Sequence, residues 1–327
     1  MEPLTRRLTL DSHLPPHFLD RALREDARGG LTATPKSLPP KWFYDDAGSL
    51  LFDRITRLPE YYPTRAEAEV LRARAAEIGA RTRAETLVEL GSGAGEKTRL
   101  LIEGLLGEGT LATYVPVDVS PSALLDCGGL LIRDYPTLAV HALVADFEHQ
   151  LDVLPDTGRR LTAFLGGTIG NLEPRQRAEF LAALRAGTET GDWLLLGTDL
   201  VKDPAVLVPA YDDAAGVTAE FNRNVLRVLN RELGADFDVA AFEHVALWDA
   251  EREWIEMRLR STADATVSLP ALDLTVAFVR GEEMRTEVSA KFRPGRVAAE
   301  LADAGFVRQA GWTDRAGRFL LTLARAS

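Results

Sequence analysis

Short apolar runs alternate with longer amphipathic stretches between about residues 65 and 200. The apolar runs are a few residues long and end at Gly or Asp, which predicts buried strands. The predicted strands are 86–90, 113–118, 141–146, 161–167 and 191–200, and the predicted helices are 64–78, 97–106, 120–136 and 175–187. Thr64 and Glu67 fit a capping box at the start of the first helix. This alternation indicates a parallel sheet built from right-handed βαβ units.

The C-terminal segment predicts an antiparallel hairpin at the end of this sheet. A helix over 294–305 precedes a strand over 306–312, a turn at 314–317 and a second strand over 318–326. A parallel sheet that ends in a hairpin differs from the all-parallel dinucleotide-binding fold. It is the ending expected of class I methyltransferases. We therefore predict a Rossmann-like α/β fold with a mostly parallel sheet of seven strands.

The alternation of strands and helices stops between about residues 201 and 290. After a helix over 219–233, strand-period runs occupy 243–248, 254–262, 274–279 and 286–292. The first 64 residues are rich in Pro and aromatic side chains, with a short helix expected near 49–56. These segments predict a second, α+β domain. The predicted domains are a cofactor-binding domain over 65–200 and 291–327 and a substrate-binding domain over 1–64 and 201–290.

Composition and charge exclude several classes of protein. The net charge of -11 argues against binding to a nucleic-acid backbone. The chain has no run of about 18 apolar residues, the length that a membrane helix needs. Cys127 is the only cysteine, so no internal disulfide can form, and the five histidines show no zinc-ligand spacing. We expect a cytoplasmic monomer that needs no metal and binds neither nucleic acid nor a membrane.

A glycine-rich loop follows the first predicted strand. Residues 88–98 read VELGSGAGEKT, and Glu96 stands where a dinucleotide-binding fingerprint needs Gly or Ala. Glycines at such a turn let the backbone approach a ligand closely, although they also serve simply to close a strand–helix corner. The pattern resembles the first motif of S-adenosylmethionine enzymes.

Acidic residues end the next two predicted strands. Asp118 stands where a carboxylate can accept hydrogen bonds from both ribose hydroxyls, as acidic residues do in nucleotide-binding sheets. Asp146 could accept from the adenine amino group while the backbone of Phe147 reads a ring nitrogen. A strand-end Asp can equally cap a turn. Because three motifs at the carboxyl ends of successive strands converge on one crevice, we predict an S-adenosylmethionine site there.

Longer runs resemble one family, the histidine-specific N-α-methyltransferases of ergothioneine biosynthesis. The runs are KSLPPKWFYD, FDRITRLPEYYPTR, VELGSG-GEKTR, TIGNL, LLLGTDLVKD, YDDAAGVTAEFNRNVL and GEEMRTEVSAKFRP. The resemblance implies trimethylation of the α-nitrogen of L-histidine by S-adenosylmethionine, giving hercynine and S-adenosylhomocysteine. The residues implied to contact the cofactor are Gly91, Lys97, Asp118, Asp146 and Phe147. Lys97 would meet the cofactor carboxylate.

The resemblance also assigns a substrate site. Asn171 and Tyr211 would hold the α-carboxylate of histidine. The imidazole would contact Tyr61, Glu287 and Ser289, and Met257 would pack against the ring. Strand periodicity supports part of this assignment, because it places Glu287 and Ser289 on one face of their strand. By itself, the residue pattern is equally consistent with a core role for Met257 and favours a loop residue at 171 and a core aromatic at 211.

The reaction needs an aligned, neutral amine, and the matched motifs contain no evident general base. We predict that Tyr44 and Phe52 line the amine, where aromatic faces stabilise a growing cation by about 0.5–2 kcal/mol. Tyr44 could also pass a proton to water. Two alternatives stay open: methylation of another amino acid such as tryptophan, which would leave Glu287 unpaired, and a non-catalytic S-adenosylmethionine sensor.

Overall fold

The computed structural model describes residues 7–93 and 96–327, which form two compact units. Of the described residues, the first unit comprises 7–15, 65–93, 96–200 and Phe292–Ser327. The second comprises Pro16–Thr64 and Val201–Lys291. Each unit therefore contains segments that are distant in sequence.

The helices of the described chain range from four to twenty residues. They are α1 (Phe18–Thr32), α2 (Asp46–Thr56), α3 (Pro63–Thr82), α4 (Glu96–Gly107), α5 (Pro121–Asp134), α6 (Pro174–Ala186), α7 (Pro204–Leu207), α8 (Val217–Leu233) and α9 (Pro294–Asp303). Ser120 caps the start of helix α5, because its side chain accepts a hydrogen bond from Ala123 N.

The strands range from five to eight residues. They are β1 (Leu8–Ser12), β2 (Thr86–Leu90), β3 (Thr113–Asp118), β4 (Ala139–Val144), β5 (Arg160–Phe164), β6 (Trp193–Asp199), β7 (Phe242–Asp249), β8 (Trp254–Ser261), β9 (Ala265–Leu269), β10 (Leu274–Phe278), β11 (Glu283–Ala290), β12 (Phe306–Thr313) and β13 (Phe319–Ala326). β2 and β3 have the predicted bounds, whereas β1 and β9 were not predicted.

The first unit is an open α/β sheet with strand order β1-β4-β3-β2-β5-β6-β13-β12. The strands from β1 to β6 pair in parallel, and β13 is antiparallel to both of its neighbours. These features confirm the predicted Rossmann-like fold with a terminal hairpin. The strand order reverses at β2 and β5, and ligands of such sheets bind at the carboxyl ends of the strands beside that reversal.

The sheet has eight strands, one more than predicted, because β1 pairs with the edge strand β4. Leu10 of β1 packs on a buried cluster made of Leu124, Ala142 and Val144. The sequence LTLDS is too short for its alternation to stand out from its surroundings. The chain up to Pro15 therefore belongs to the first unit, although the sequence analysis placed residues 1–64 in the substrate domain. Lys291, in turn, belongs to the second unit.

The second unit contains a three-stranded antiparallel sheet of order β11-β8-β7 and a separate pair, β9 and β10. The chain before α2 pairs with this sheet, because Leu38 N donates to Arg285 O at 2.8 Å and Arg285 N donates to Lys36 O at 3.0 Å. Asn224 of α8 donates to Asp45 Oδ1 at 2.7 Å, beside the start of α2. These bonds join the two segments of the unit.

Candidate functional site

The glycine loop lies at the carboxyl end of β2, against Phe147. Gly91 has φ +69°, a left-handed conformation that favours glycine, and its amide donates to Val117 O at 2.9 Å. A Cβ on Gly91 would lie 3.4 Å from the Phe147 ring. The structure therefore brings together two predicted cofactor residues from the ends of β2 and β4.

Asp118 ends β3 beside the same loop. One carboxylate oxygen accepts a hydrogen bond from Ser120 N at 3.1 Å, and the Gly93 backbone also hydrogen-bonds to the carboxyl group. Burial raises the pKa of Asp118, and these backbone hydrogen bonds oppose the rise only in part. The first acidic residue thus contacts the glycine loop, as the convergence of strand ends predicts.

Asp146 and Phe147 form a turn after β4. The Asp146 carboxylate accepts from Glu148 N at 3.0 Å and lies 2.9 Å from His149 Nδ1. The Phe147 ring packs edge-on against Phe164, with centroids 5.5 Å apart. Both Asp146 oxygens already have a contact within the turn, but a carboxylate has further lone pairs that can accept from a ligand.

Lys97, which is partly exposed, forms an ion pair with the buried Glu67, a contact that was not predicted from the sequence. The capping-box prediction is wrong: Thr64 lies inside α3, and the Glu67 carboxylate is fully buried. It pairs with Lys97 Nζ and accepts from Gly166 N at 2.9 and 3.0 Å. A Cβ on Gly197 would lie 2.3 Å from Glu67 Oε1, so this glycine makes room for the carboxylate.

Asn171 is the one predicted substrate residue in the first unit. It ends a single 3-10 turn, Thr168–Asn171, which follows β5.

In the glycine loop, Ser92 Oγ is buried and has no hydrogen-bond partner within 7–93 and 96–327. Polar groups from the ends of β2 to β5 thus collect at the switch point of the sheet. A cleft of about 370 Å³ at the opposite edge, lined by Thr86, Thr113 and Gly158, lies away from them.

In the second unit, predicted site residues gather in an aromatic cluster, defined as Tyr44, Phe52, Tyr61 and Phe221. The Phe52 ring centroid lies 5.4 Å from that of Tyr44 and 6.0 Å from that of Tyr61. Phe221 of α8 completes the cluster, 5.3 Å from Tyr44 and 5.9 Å from Phe52. The sequence analysis missed Phe221, whose only signal was an apolar position in a predicted helix.

Glu287, Met257 and Ser289 share one face of the antiparallel sheet. Glu287 pairs across the strands with Met257, and Ser289 pairs with Ile255 two positions away on β8. Residues directly opposite each other have neighbouring side chains. The register thus agrees with the prediction that Glu287 and Ser289 lie side by side, and it adds Met257 as a direct neighbour of Glu287.

Tyr211 and Ser289 meet in a buried cluster of hydrogen bonds with Lys291. The two hydroxyl oxygens lie 2.8 Å apart. Lys291 Nζ donates to Tyr211 Oη at 2.7 Å and to Ser289 Oγ at 2.8 Å. The sequence analysis identified Tyr211 and Ser289 but missed Lys291, which is fully buried.

A buried polar chain holds the backbone of Tyr211. His244 Nε2 lies 2.8 Å from Tyr211 O, and its Nδ1 lies 2.8 Å from Asn222 Nδ2. Asn222 Oδ1 accepts from Thr286 Oγ1, so the Asn222 amide nitrogen is the atom that faces His244 and donates to its Nδ1. The ring proton of His244 is therefore on Nε2, which donates to Tyr211 O. Burial lowers the pKa of His244, in agreement with a neutral ring.

Tyr44 is about half exposed, and the protein around its hydroxyl desolvates that group. Desolvation raises the pKa of Tyr44 far above its usual range, and the negative charge of Glu287 raises it further. Tyr44 therefore carries a protonated hydroxyl at neutral pH. The influence of Glu287 also shows that the aromatic cluster adjoins the polar face of the sheet.

Cys127 is buried, and burial raises the pKa of its thiol to about 11, so it is a poor nucleophile. Residues 7–93 and 96–327 hold no group of three or more His, Cys, Asp or Glu side chains arranged to bind a metal. In the same ranges, no helix combines the length and apolar character needed to cross a bilayer.

Comparison with known proteins identifies relatives over nearly the whole chain. A family model described as "Histidine-specific methyltransferase, SAM-dependent" matches residues 23–326. A Mycobacterium tuberculosis protein named Histidine N-alpha-methyltransferase is 58% identical over 97% of this chain and 99% of its own length. A Mycolicibacterium smegmatis protein of the same name is 57% identical over the same shares of the two chains.

A third relative, Ergothioneine biosynthesis protein 1 of Neurospora crassa, is 33% identical over 61% of this chain and 23% of its own length. The family match covers more than nine-tenths of the residues, and the two bacterial relatives align almost from end to end. The chain therefore belongs to the family of histidine-specific, S-adenosylmethionine-dependent methyltransferases.

Proposed function

We propose that this chain transfers three methyl groups in succession from S-adenosylmethionine to the α-nitrogen of L-histidine, giving hercynine. Two relatives that are 57% and 58% identical are named Histidine N-alpha-methyltransferase. The name of the Neurospora crassa relative places that protein in ergothioneine biosynthesis, and we extend this pathway to the present chain.

The observation that carries the proposal is the Tyr211–Ser289 contact of 2.8 Å. One hydroxyl group can donate to a carboxylate while its neighbour contacts a polar ring, and the two ends of a small amino acid are only a few ångströms apart. Glu287 and Met257 extend the same face and offer a carboxylate and an apolar surface to that ring. We assign Asn171 to the substrate carboxylate and Tyr61 to the ring.

The donor and acceptor groups of the first unit fit S-adenosylmethionine, which supplies the methyl group on a sulfonium centre. We assign Gly91, Lys97, Asp118, Asp146 and Phe147 to it. A Cβ on Gly91 would already touch the Phe147 ring at 3.4 Å, and Ser92 Oγ is a buried polar group without a partner in the described chain. Lys97 has three ammonium protons, so it can pair with Glu67 and still donate to a carboxylate.

The roles that we assign to Tyr44 and Phe52 follow from their surroundings. The raised pKa of Tyr44 keeps its proton in place, so it provides a neutral hydroxyl and a ring face rather than a phenolate base. Phe52 lies 5.4 Å from that ring, and together the two faces stabilise a trimethylated nitrogen, which has no N–H left to donate. Loose aromatic contacts of this kind allow all three methylation stages.

The assignment of the cofactor to one unit and of most substrate contacts to the other is also part of the proposal. Every residue assigned to the cofactor lies in the first unit, and every residue assigned to the substrate except Asn171 lies in the second. A monomeric state, a cytoplasmic location and metal-independent activity stay predictions, which light scattering, cell fractionation and assays with a chelator would test.

The first experiment incubates the purified protein with L-histidine and excess S-adenosylmethionine and follows the products by mass spectrometry. We expect mono-, di- and trimethylated histidine in turn, with one S-adenosylhomocysteine released for each step. Competition among the common amino acids should leave tryptophan unmethylated, because an indole is larger and more apolar than the imidazole that we assign to the polar face of Glu287 and Ser289. Product that stops at monomethylhistidine, or preferential methylation of another amino acid, would contradict the proposal.

A further inference from the structure

Lys291 lies fully buried at the end of β11, in contact with two residues of the proposed substrate site. Its Nζ also lies 4.6 Å from the centroid of the Tyr211 ring. Burial of an ammonium group is costly unless its protons find acceptors, so a lysine at this position needs a structural or functional reason. Removing Lys291 would alter both hydroxyl groups at once.

The chemistry of the three groups determines the direction of their hydrogen bonds. An ammonium group only donates, so both hydroxyl oxygens accept from Lys291. The oxygens of Tyr211 and Ser289 are 2.8 Å apart, which places one hydroxyl proton between them. The two hydroxyls carry two protons in total. One is used inside the cluster, and the other points out of it.

We propose that Lys291 is a positioning residue that makes Tyr211 the outward donor and Ser289 an acceptor. This inference rests on the proposed function, in which Tyr211 binds the α-carboxylate of the substrate. A carboxylate only accepts, so Tyr211 must give it the outward proton, and Ser289 must donate its own proton to Tyr211. Ser289 then has one lone pair left for a donor on the substrate ring.

The arrangement selects a substrate with opposite hydrogen-bonding character at its two ends. The positive charge beside the Tyr211 hydroxyl strengthens that hydroxyl as a donor to an anion. Ser289 accepts one ring N–H, and Glu287, on the same face of the strand, accepts a second ring N–H when the imidazole is protonated. Lys291 thereby couples recognition of the carboxylate to recognition of the ring without touching the substrate.

The test compares Lys291→Met with the wild type on L-histidine and on histamine, which lacks the carboxylate. We expect the variant to lose about 100-fold in kcat/KM for histidine, mainly through KM, and less than about threefold for histamine. Lys291→Arg keeps the positive charge and should recover part of the loss. Equal losses for both substrates, or none for either, would overturn the inference.

Lys202→Met is the matched control. Lys202 Nζ donates to Tyr62 Oη at 2.7 Å and lies 4.6 Å from the centroid of the Tyr62 ring, so it reproduces the Lys291–Tyr211 geometry at a different tyrosine. We expect its kcat/KM to stay within about threefold of wild type for both substrates. Binding of S-adenosylhomocysteine, measured by calorimetry, should be unchanged in all variants. A histidine-specific loss in Lys202→Met equal to that of Lys291→Met would overturn the inference.

A second measurement uses only the wild-type protein and does not depend on whether a variant folds. The analogue 3-(thiazol-4-yl)alanine keeps the ring size and has no ring N–H. Because Ser289 can only accept, we expect this analogue to bind at least about tenfold more weakly than histidine. Equal affinity would exclude the acceptor role of Ser289.

The failure of this inference can be separated from failure of the proposed function. If the wild type methylates another amino acid instead of histidine, the proposed function is wrong. The Lys291→Met comparison then uses that amino acid and its decarboxylated amine. Loss confined to the carboxylate-bearing partner still supports the role of Lys291, and equal loss for both contradicts it.

Discussion

At the residue scale, the surroundings of Tyr44 decide which chemistry its side chain can perform. Desolvation and the Glu287 charge both favour the protonated hydroxyl, so the pKa rises far above the physiological range. The sequence pattern WFYDD indicated a tyrosine near the amine but could not show its protonation state. Phe221 was missed for a related reason, because it joins the aromatic cluster only through the packing of α8.

We predict that Tyr44→Phe lowers the single-turnover methylation rate about tenfold without moving the pH–rate profile between about pH 6 and pH 10. The hydroxyl stays protonated over this range, so its removal takes a polar group from the proposed amine site but no titrating group. Tyr135→Phe is the matched control, since the Tyr135 hydroxyl is bound to Glu103 at an exposed site. A shifted inflection in Tyr44→Phe alone would show that Tyr44 handles a proton.

At the scale of elements, Glu89 links strand β2 to helix α4 and to strand β3. Its buried carboxyl accepts from Thr98 of α4 at 2.6 Å and from Tyr114 of β3 at 2.5 Å. Burial outweighs these hydrogen bonds and raises the pKa of Glu89 to about 7. The carboxyl group of Glu89, which precedes the glycine loop, is therefore protonated more readily in the folded chain than in the unfolded chain.

This shift makes stability depend on pH. The unfolded Glu89 ionises near its model value of 4.5, whereas the folded one keeps its proton until about pH 7. Between these values the folded state binds more protons, so the contribution of Glu89 to stability is fully present below about pH 4.5. It is lost as the pH rises through about 7.

We predict that Glu89→Gln gains stability relative to wild type as the pH rises from 5 to 8, by up to roughly 3 kcal/mol. Glutamine keeps the acceptor for Thr98 and Tyr114 and removes the group that must ionise. Urea unfolding at both pH values measures the difference, with the exposed-site variant Glu103→Gln as the control. A pH-independent difference between Glu89→Gln and wild type would contradict the assigned shift.

At the scale of the whole molecule, the chain forms two units whose segments interleave in sequence. The βα alternation predicted most of the first unit, because each buried strand and amphipathic helix carries its own periodic signal. Strand β1, the additional strand of the sheet, was not predicted, because an edge strand of five residues depends on its partner β4 for its pairing and burial. In the second unit, strands β7, β8, β10 and β11 were predicted, but β9 was not.

We predict that hydrogen exchange will show protection by the cofactor product in the first unit and further protection by histidine in the second. S-adenosylhomocysteine alone should protect peptides that cover residues 86–93, 113–120 and 145–150, all in the first unit. Adding histidine should then protect 42–62, 208–213 and 286–291 in the second. At a ligand concentration of 100 times Kd the stabilisation is about 2.7 kcal/mol, enough to slow exchange by up to about 100-fold. Histidine-dependent protection confined to the first unit would contradict the assignment.

The sequence alone determined the α/β architecture, the glycine loop, the strand-end carboxylates and, through long family-specific runs, the class of reaction. Those features are local, since a few neighbouring residues carry each signal. Only the tertiary structure decided that Glu67 pairs with Lys97, that Phe221 joins the aromatic cluster and that Lys291 contacts Tyr211, 80 residues away in the chain. Each of these contacts joins residues that are distant in sequence. Where the groups are polar, burial removes the water that would otherwise form hydrogen bonds with them.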